Sequence, residues 1–410
     1  MRPIITGPHA TIAAPVISLS RYSTLLERPE LRQTIVASVI GRMPIGILGL
    51  AILLATQASS GSFGIAGAVA ACYLAGLAVM APVLGRVIDR SGPATVLFFC
   101  ACAFPAALAA LVLALRLDAP QWTAFVFAAF AGACFPPITV CLRTFMRQRL
   151  ADEAQLATAY SLESVLIETI FIVGPVLVAL FVAYLSADAA VLFAAVCGLA
   201  GTLMFLRSPV LAQWRIEKRM AASLVGPLSV PGFVPLLAVI LAYSGAFGLL
   251  EIGITAFAAE AGTPALAGVI LGLMSVGSAA GGLAYGSRSW RTPLRRQFAL
   301  MLLLMGMGVA VLSLVTNAFV FSALGIVAGI VMAPALIIQA MLVAKTAPAH
   351  FATEAFTWST TCLLTGIGLG LAAGGLILES ATSAAVFAAG GLVAIAAAVL
   401  AHATLRQSSS

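Results

Sequence analysis

Charge is what this chain lacks. Of 410 residues only 14 are acidic and 21 basic, so 9% are charged, while 62% are hydrophobic. A soluble globular domain carries roughly 25% charged residues, so a soluble fold is excluded. Histidine is nearly absent: His9, His350 and His402 are scattered and form no cluster. The seven cysteines (Cys72, Cys100, Cys102, Cys134, Cys141, Cys197, Cys362) show no CxxC spacing and all fall in apolar runs. They read as small packing residues, without disulfides or bound metal. There is also no P-loop, metal-ligand spacing or catalytic triad signal, so we expect neither an enzyme nor a cofactor. The first twenty residues lack a basic start leading into a continuous apolar core and cleavage site, and read as a cytosolic tail rather than a signal peptide.

What is present is oil, with a mean hydropathy of +1.12. Apolar stretches of about 18 residues or more read as membrane-spanning helices, because a bilayer satisfies no backbone polar group. Twelve can be counted: 34–57, 63–84, 95–115, 122–142, 158–184, 188–206, 233–258, 264–286, 297–316, 318–343, 353–377 and 382–404. Only Thr316-Asn317 divides the ninth from the tenth. The net charge of +7 could suggest nucleic acid, but its distribution argues for a lipid bilayer instead. Of 21 positive charges, 19 fall before the first span or after an even-numbered one; Arg116 lies on the other side and Arg42 inside a span. The positive-inside rule then places both termini in the cytoplasm. The longest internal hydrophilic stretch divides the chain into a tail at 1–33, six spans at 34–206, a cytosolic linker at 207–232, six spans at 233–404 and a tail at 405–410.

The two halves carry traces of a repeat. Gly85 and Arg90 follow the second span, and Gly286 and Arg291 follow the eighth at the same internal spacing, with Trp290 where the first copy has Asp89. Ala157-Thr158 opens the fifth span and Ala352-Thr353 the eleventh. Small residues recur at helical spacing: Gly268 with Gly272, Gly277 with Gly281, and Gly366, Gly370 and Gly374. Such ridges let helices approach closely, either as static packing or as a sliding surface.

After the second span comes Gly85-Arg86-Val87-Ile88-Asp89-Arg90-Ser91-Gly92, expected to form a tight turn at the membrane surface. This segment resembles the loop between helices 2 and 3 of the major facilitator superfamily of transporters. Gly85, Asp89, Arg90 and Gly92 fit that family's signature, while Pro93 and Ala94 stand where basic residues are usual. The resemblance implies an all-α membrane protein of twelve transmembrane helices in two six-helix halves, related as parallel repeats and working by alternating access. It further implies that helices 2, 5, 8 and 11 line the contact between halves, and that the loop's acid is held by charged partners near the start of helix 11. Arg143, at the end of the fourth span, and Glu354, at the start of the eleventh, complete this expected cytosolic gate; Glu354 should repel Asp89.

Charges inside a bilayer cost about 2.5–3.5 kcal/mol on insertion scales, so each needs a reason. Arg42 in the first span can pair with Glu163 or Glu168 in the fifth, as a permanent ion pair or as a proton-coupling one. Glu251 in the seventh has no basic residue in its own half's spans. It is expected to be protonated at rest, bonded to a group such as Tyr243 or open to a watery cavity. Gln339 in the tenth span is a further candidate for the substrate cavity. Gly174-Pro175 resembles the core of the fifth-helix motif of proton-coupled drug exporters, although Val176-Leu177-Val178-Ala179 departs from it; a plain proline kink is the alternative. The resemblance therefore implies a monomeric secondary transporter in a bacterial inner membrane, exporting a small organic molecule against protons. Uptake or facilitated diffusion of a metabolite such as a sugar, or a non-transporting receptor or scaffold, are the alternatives.

Overall fold

The computed structural model describes residues 29–117, 119–149, 153–208, 211, 226–286, 290, 292–347 and 352–404. Fourteen α-helices run through them: α1 (Pro29–Ser60), α2 (Phe63–Ser91), α3 (Pro93–Arg116), α4 (Trp122–Ala133), α5 (Ile138–Arg149), α6 (Glu153–Tyr184), α7 (Ala187–Leu206), α8 (Phe233–Glu260), α9 (Leu266–Gly286), α10 (Leu294–Leu312), α11 (Ala318–Gly329), α12 (Met332–Thr346), α13 (Ala352–Leu378) and α14 (Ser383–Thr404). Twelve stretches are long and apolar enough to cross a membrane, so the fold is the expected all-α bundle. Most of the tail at 1–33, the middle of the 207–232 linker and the tail at 405–410 lie outside the described residues.

Two of the twelve spans are broken, and prolines explain both. In the fourth, Pro136 and Pro137 offer no N–H, so α4 stops and α5 starts afresh at Ile138. In the tenth, Pro334 cannot donate to the carbonyl of Ile330 and crowds it, which separates α11 from α12. The freed Ile330 carbonyl lies against Gly281 of α9, where a methyl group would collide with it. Breaks in the fourth and tenth spans occupy equivalent places in the two halves, as a duplicated architecture requires.

Alternation of twelve spans puts both ends of the chain on one face, here the terminal face, and the connections after α1, α3, α6, α8, α10 and α13 on the far face. Within the first half α7 packs on α1 and α3; within the second α8 packs on α13 and α14. The halves meet through α2 against α13 and α6 against α9. Glycines permit that approach on the far-face side. A methyl on Gly67 would strike the Leu371 carbonyl, one on Gly64 the Glu379 carboxylate, and one on Gly268 the Pro175 carbonyl. Towards the terminal face, the side of α2 that meets α13 at Gly64, Gly67 and Ala71 continues as buried Ala78, then half-buried Pro82 and Gly85, and a methyl on Gly85 would meet nothing within 4 Å. The glycine contacts that join the two halves therefore lie towards the far face.

The small-residue ridges divide between two duties. Gly268 and Gly272 face α6 across the halves. Gly277 and Gly281 meet α11 and the α11–α12 break, while Gly366 and Gly370 face α8 and Gly374 meets Leu249 and Ile252 of that helix, all within one half. Those five are static packing positions, and Gly368 and Gly375 meet α2 instead.

The segment at 85–92 corrects an expectation. It is not a turn over its length: α2 continues to Ser91, and Gly92 alone makes the corner at φ 83°, ψ 166°. Gly92 tolerates that left-handed φ, and Pro93 is preset for the first position of α3. Its counterpart between α9 and α10 is built differently. Trp290 stacks on Tyr285 at 5.2 Å and donates from Nε1 to the Tyr285 carbonyl at 3.0 Å. Tyr285 Oη donates to Gln297 Oε1 at 2.5 Å. An aromatic clasp stands where the first copy has its acid.

Candidate functional site

The most buried charge is on α1. Arg42, fully buried, donates from Nε to the Ser38 carbonyl and from Nη2 to Ser38 Oγ, each at 3.1 Å. Ser38 lies one turn earlier, on the same helical face. Nη1 of Arg42 reaches Glu163 Oε1 on α6 at 3.2 Å, and Glu163 is only 1% exposed. Arg143 on α5 then donates from Nε to both Glu163 oxygens, at 3.1 and 2.9 Å. Its side chain is 54% exposed, so one end of the cluster is wet. Two guanidiniums share one carboxylate, a formal surplus of one positive charge. Removing one partner of such a buried pair costs about 3–5 kcal/mol because the other is stranded.

The partner of Arg42 is thus Glu163. Glu168 falls on α6, but its side chain lies outside the described residues, as do those of Asp89, Arg90 and Glu354 on their helices. Arg143, expected at the Asp89 gate, is engaged by Glu163, where α5 packs against α6. Gly85 stands open, with nothing within 4 Å of an added methyl.

The second half has a neutral counterpart. Tyr243 on α8 donates its hydroxyl to Gln339 Oε1 on α12, and Gln339 Nε2 donates to Ser359 Oγ on α13 at 2.8 Å. Tyr243, Gln339 and Ser359 are all buried. Phe247 and Phe298 stand edge-on to the Tyr243 ring at 5.6 and 5.7 Å, fixing it in place. The expected bond between Tyr243 and Glu251 is not made. Eight residues separate them, about 12 Å along the helix axis, and Gln339 takes the hydroxyl.

Glu251 instead faces the other half. A methyl on Gly49 of α1 would lie 2.6 Å from Glu251 Oε1, so a larger residue there would push the carboxylate aside. The residue is half-buried, and among the described residues no hydrogen bond or ion pair reaches its side chain. Its backbone carbonyl accepts from Thr255 Oγ1 at 2.8 Å. The site is a carboxylate held between two halves, able to exchange a proton or meet a polar group without first breaking an internal contact.

Gly174 and Pro175 lie inside the unbroken helix α6 and face opposite ways. A methyl on Gly174 would strike the backbone of Gly46 on α1, while the Pro175 carbonyl lies on Gly268 of the other half. Sequence reasoning passed over Ser38, Gly46, Gly49 and Ser359. Ser38 was legible from its i−4 spacing to Arg42; the others depend on contacts between distant helices.

Comparison with known proteins follows the same lines. No curated protein sequence matches the chain. Among solved structures, the nucleoside transporter NupG superposes with a TM-score of 0.66 at 16% identity, covering 93% of this chain and 100% of that one. A mutant of NupG gives a TM-score of 0.67 at 14% identity, covering 91% and 99%. At such identities the likeness shows the fold alone. The Major Facilitator Superfamily profile matches residues 34–291. This chain is an integral membrane protein belonging to the major facilitator superfamily of transporters.

Proposed function

We propose that the protein couples proton movement to export of a small organic molecule across a bacterial inner membrane, as a monomer. Both termini would face the cytoplasm. The observation that carries the reading is Glu251, an unpaired carboxylate against Gly49 where α8 meets α1. A carboxylate between the halves couples protonation to alternating access, because its surroundings change when the halves move. Glu163 is less suited to carry the proton, since two arginines hold it. Export is favoured by the Gly174-Pro175 resemblance. Uptake or facilitated diffusion of a polar metabolite is the second reading, and the fold's likeness to nucleoside transporters favours it.

The test is substrate-dependent proton flux in proteoliposomes. Glu251→Gln should reduce pH-driven flux to the level of protein-free vesicles while leaving the thermal midpoint unchanged. If Glu251→Gln and Glu168→Gln both leave pH-driven flux intact, neither carboxylate carries the proton. Flux under a substrate gradient that ignores pH would favour facilitated diffusion, and no flux under any gradient a receptor or scaffold.

A further inference from the structure

Two clefts open where α1 and α7 diverge, one at each face of the bundle. The far-face cleft, about 270 Å³, is lined by Ser59, Arg116, Ser186 and Asp188 among others. Its charge is internally satisfied, because Arg116 Nε donates to Asp188 Oδ2 at 2.8 Å. The terminal-face cleft, about 390 Å³, is lined by Arg32, Gln33, Val36, Met204, Arg207 and Ser208. It has two guanidiniums and no acid, and among the described residues neither arginine enters an ion pair.

This unbalanced cleft is graded along the membrane normal. Arg32 and Arg207 stand at its mouth. Val36 and Met204, 46% and 44% exposed, lie one turn deeper, about 5–6 Å into the apolar layer. Arg32 also sits in the first turn of α1, where a cation opposes the helix dipole and a bound anion would offset it. We propose that this cleft binds the headgroup phosphate of an anionic phospholipid. Arg32 and Arg207 clasp the phosphate, Gln33 offers a further donor, and Val36 and Met204 take the start of an acyl chain. Guanidiniums match phosphate oxygens in geometry as well as charge, and a lipid is the anion whose apolar part fits the deeper walls.

Titrating the purified full chain with a short-chain phosphatidylglycerol and the matching phosphatidylcholine, read by thermal shift, tests this. The glycerol lipid should stabilise at lower concentration than the choline lipid. Arg32→Gln/Arg207→Gln should weaken the glycerol-lipid response about thirtyfold, the worth of two cations at a membrane surface. Arg116→Gln, at the self-neutralised cleft, should leave it unchanged. Equal response to both lipids, or an undiminished response in the double variant, overturns the proposal. Equal stabilisation by inorganic phosphate also overturns it, in favour of a free-anion site. Should the double variant fail to fold, Val36→Trp keeps both arginines and fills the acyl wall; loss of lipid response with phosphate response unaltered supports the site, and no loss overturns it.

Discussion

Each half of the molecule ties three helices together with one small polar cluster, and the two clusters use opposite chemistry. In the first half Arg42, Arg143 and Glu163 join α1, α5 and α6; in the second Tyr243, Gln339 and Ser359 join α8, α12 and α13. These are equivalent helices of a duplicated bundle. The charged version fixes its members through full charges, two of which, on Arg42 and Glu163, have almost no water to fall back on. The neutral version needs only a phenol, an amide and a hydroxyl. A shared architecture therefore dictates where helices must be joined but not by what means, and the charged half has more to lose.

The largest effect should come from breaking the charged cluster. Glu163→Ala strands the buried Arg42 and should destabilise by about 3–5 kcal/mol, seen as a lower thermal midpoint in detergent. Arg42→Met/Glu163→Leu should recover most of that loss, since apolar packing can replace a buried ion pair. If transport recovers with it, the charges serve structure alone; if stability returns without transport, they serve the cycle. An intermediate effect belongs to the neutral cluster. Gln339→Leu leaves the Tyr243 and Ser359 hydroxyls without their partner and should cost about 1–3 kcal/mol by the same measurement. A loss as large as that of Glu163→Ala would erase the contrast between the halves. The smallest effect is expected from Arg143→Gln. Its exposed side chain makes the pair worth about 0–1 kcal/mol, and Arg42 still holds Glu163.

The fold was legible because lipid imposes a simple rule on sequence. Twelve apolar runs, with basic residues concentrated in alternate connections, leave little freedom in count. Asn317 even marked the start of α11, where its side chain accepts from the Phe319 and Val320 amides. The site was legible only in part. Arg42, Glu163 and Glu251 stood out because a charge in oil is conspicuous, but nothing along one helix says which neighbour faces it. That Arg143 joins the cluster depends on α5 packing against α6, which no local spacing records. Gly49 and Ser359 were invisible for the complementary reason: a glycine and a serine in an apolar run signal nothing until another helix lies against them. The helical stretch at 85–91 was hidden because polar residues and flanking glycines suit a turn as well as the end of a helix.

Helix α6 is bolted to its own half at Gly174 and rests on the other half at the next residue. That makes Pro175 a fulcrum with unequal arms. The arm to the start of α6 is 22 residues, about 33 Å, whereas the arm to Tyr184 is about 13 Å. A turn of about 10° there carries the terminal end of α6 by about 6 Å and the far end by little more than 2 Å. Close glycine packing beside the fulcrum and a long arm beyond it are the proportions of a lever.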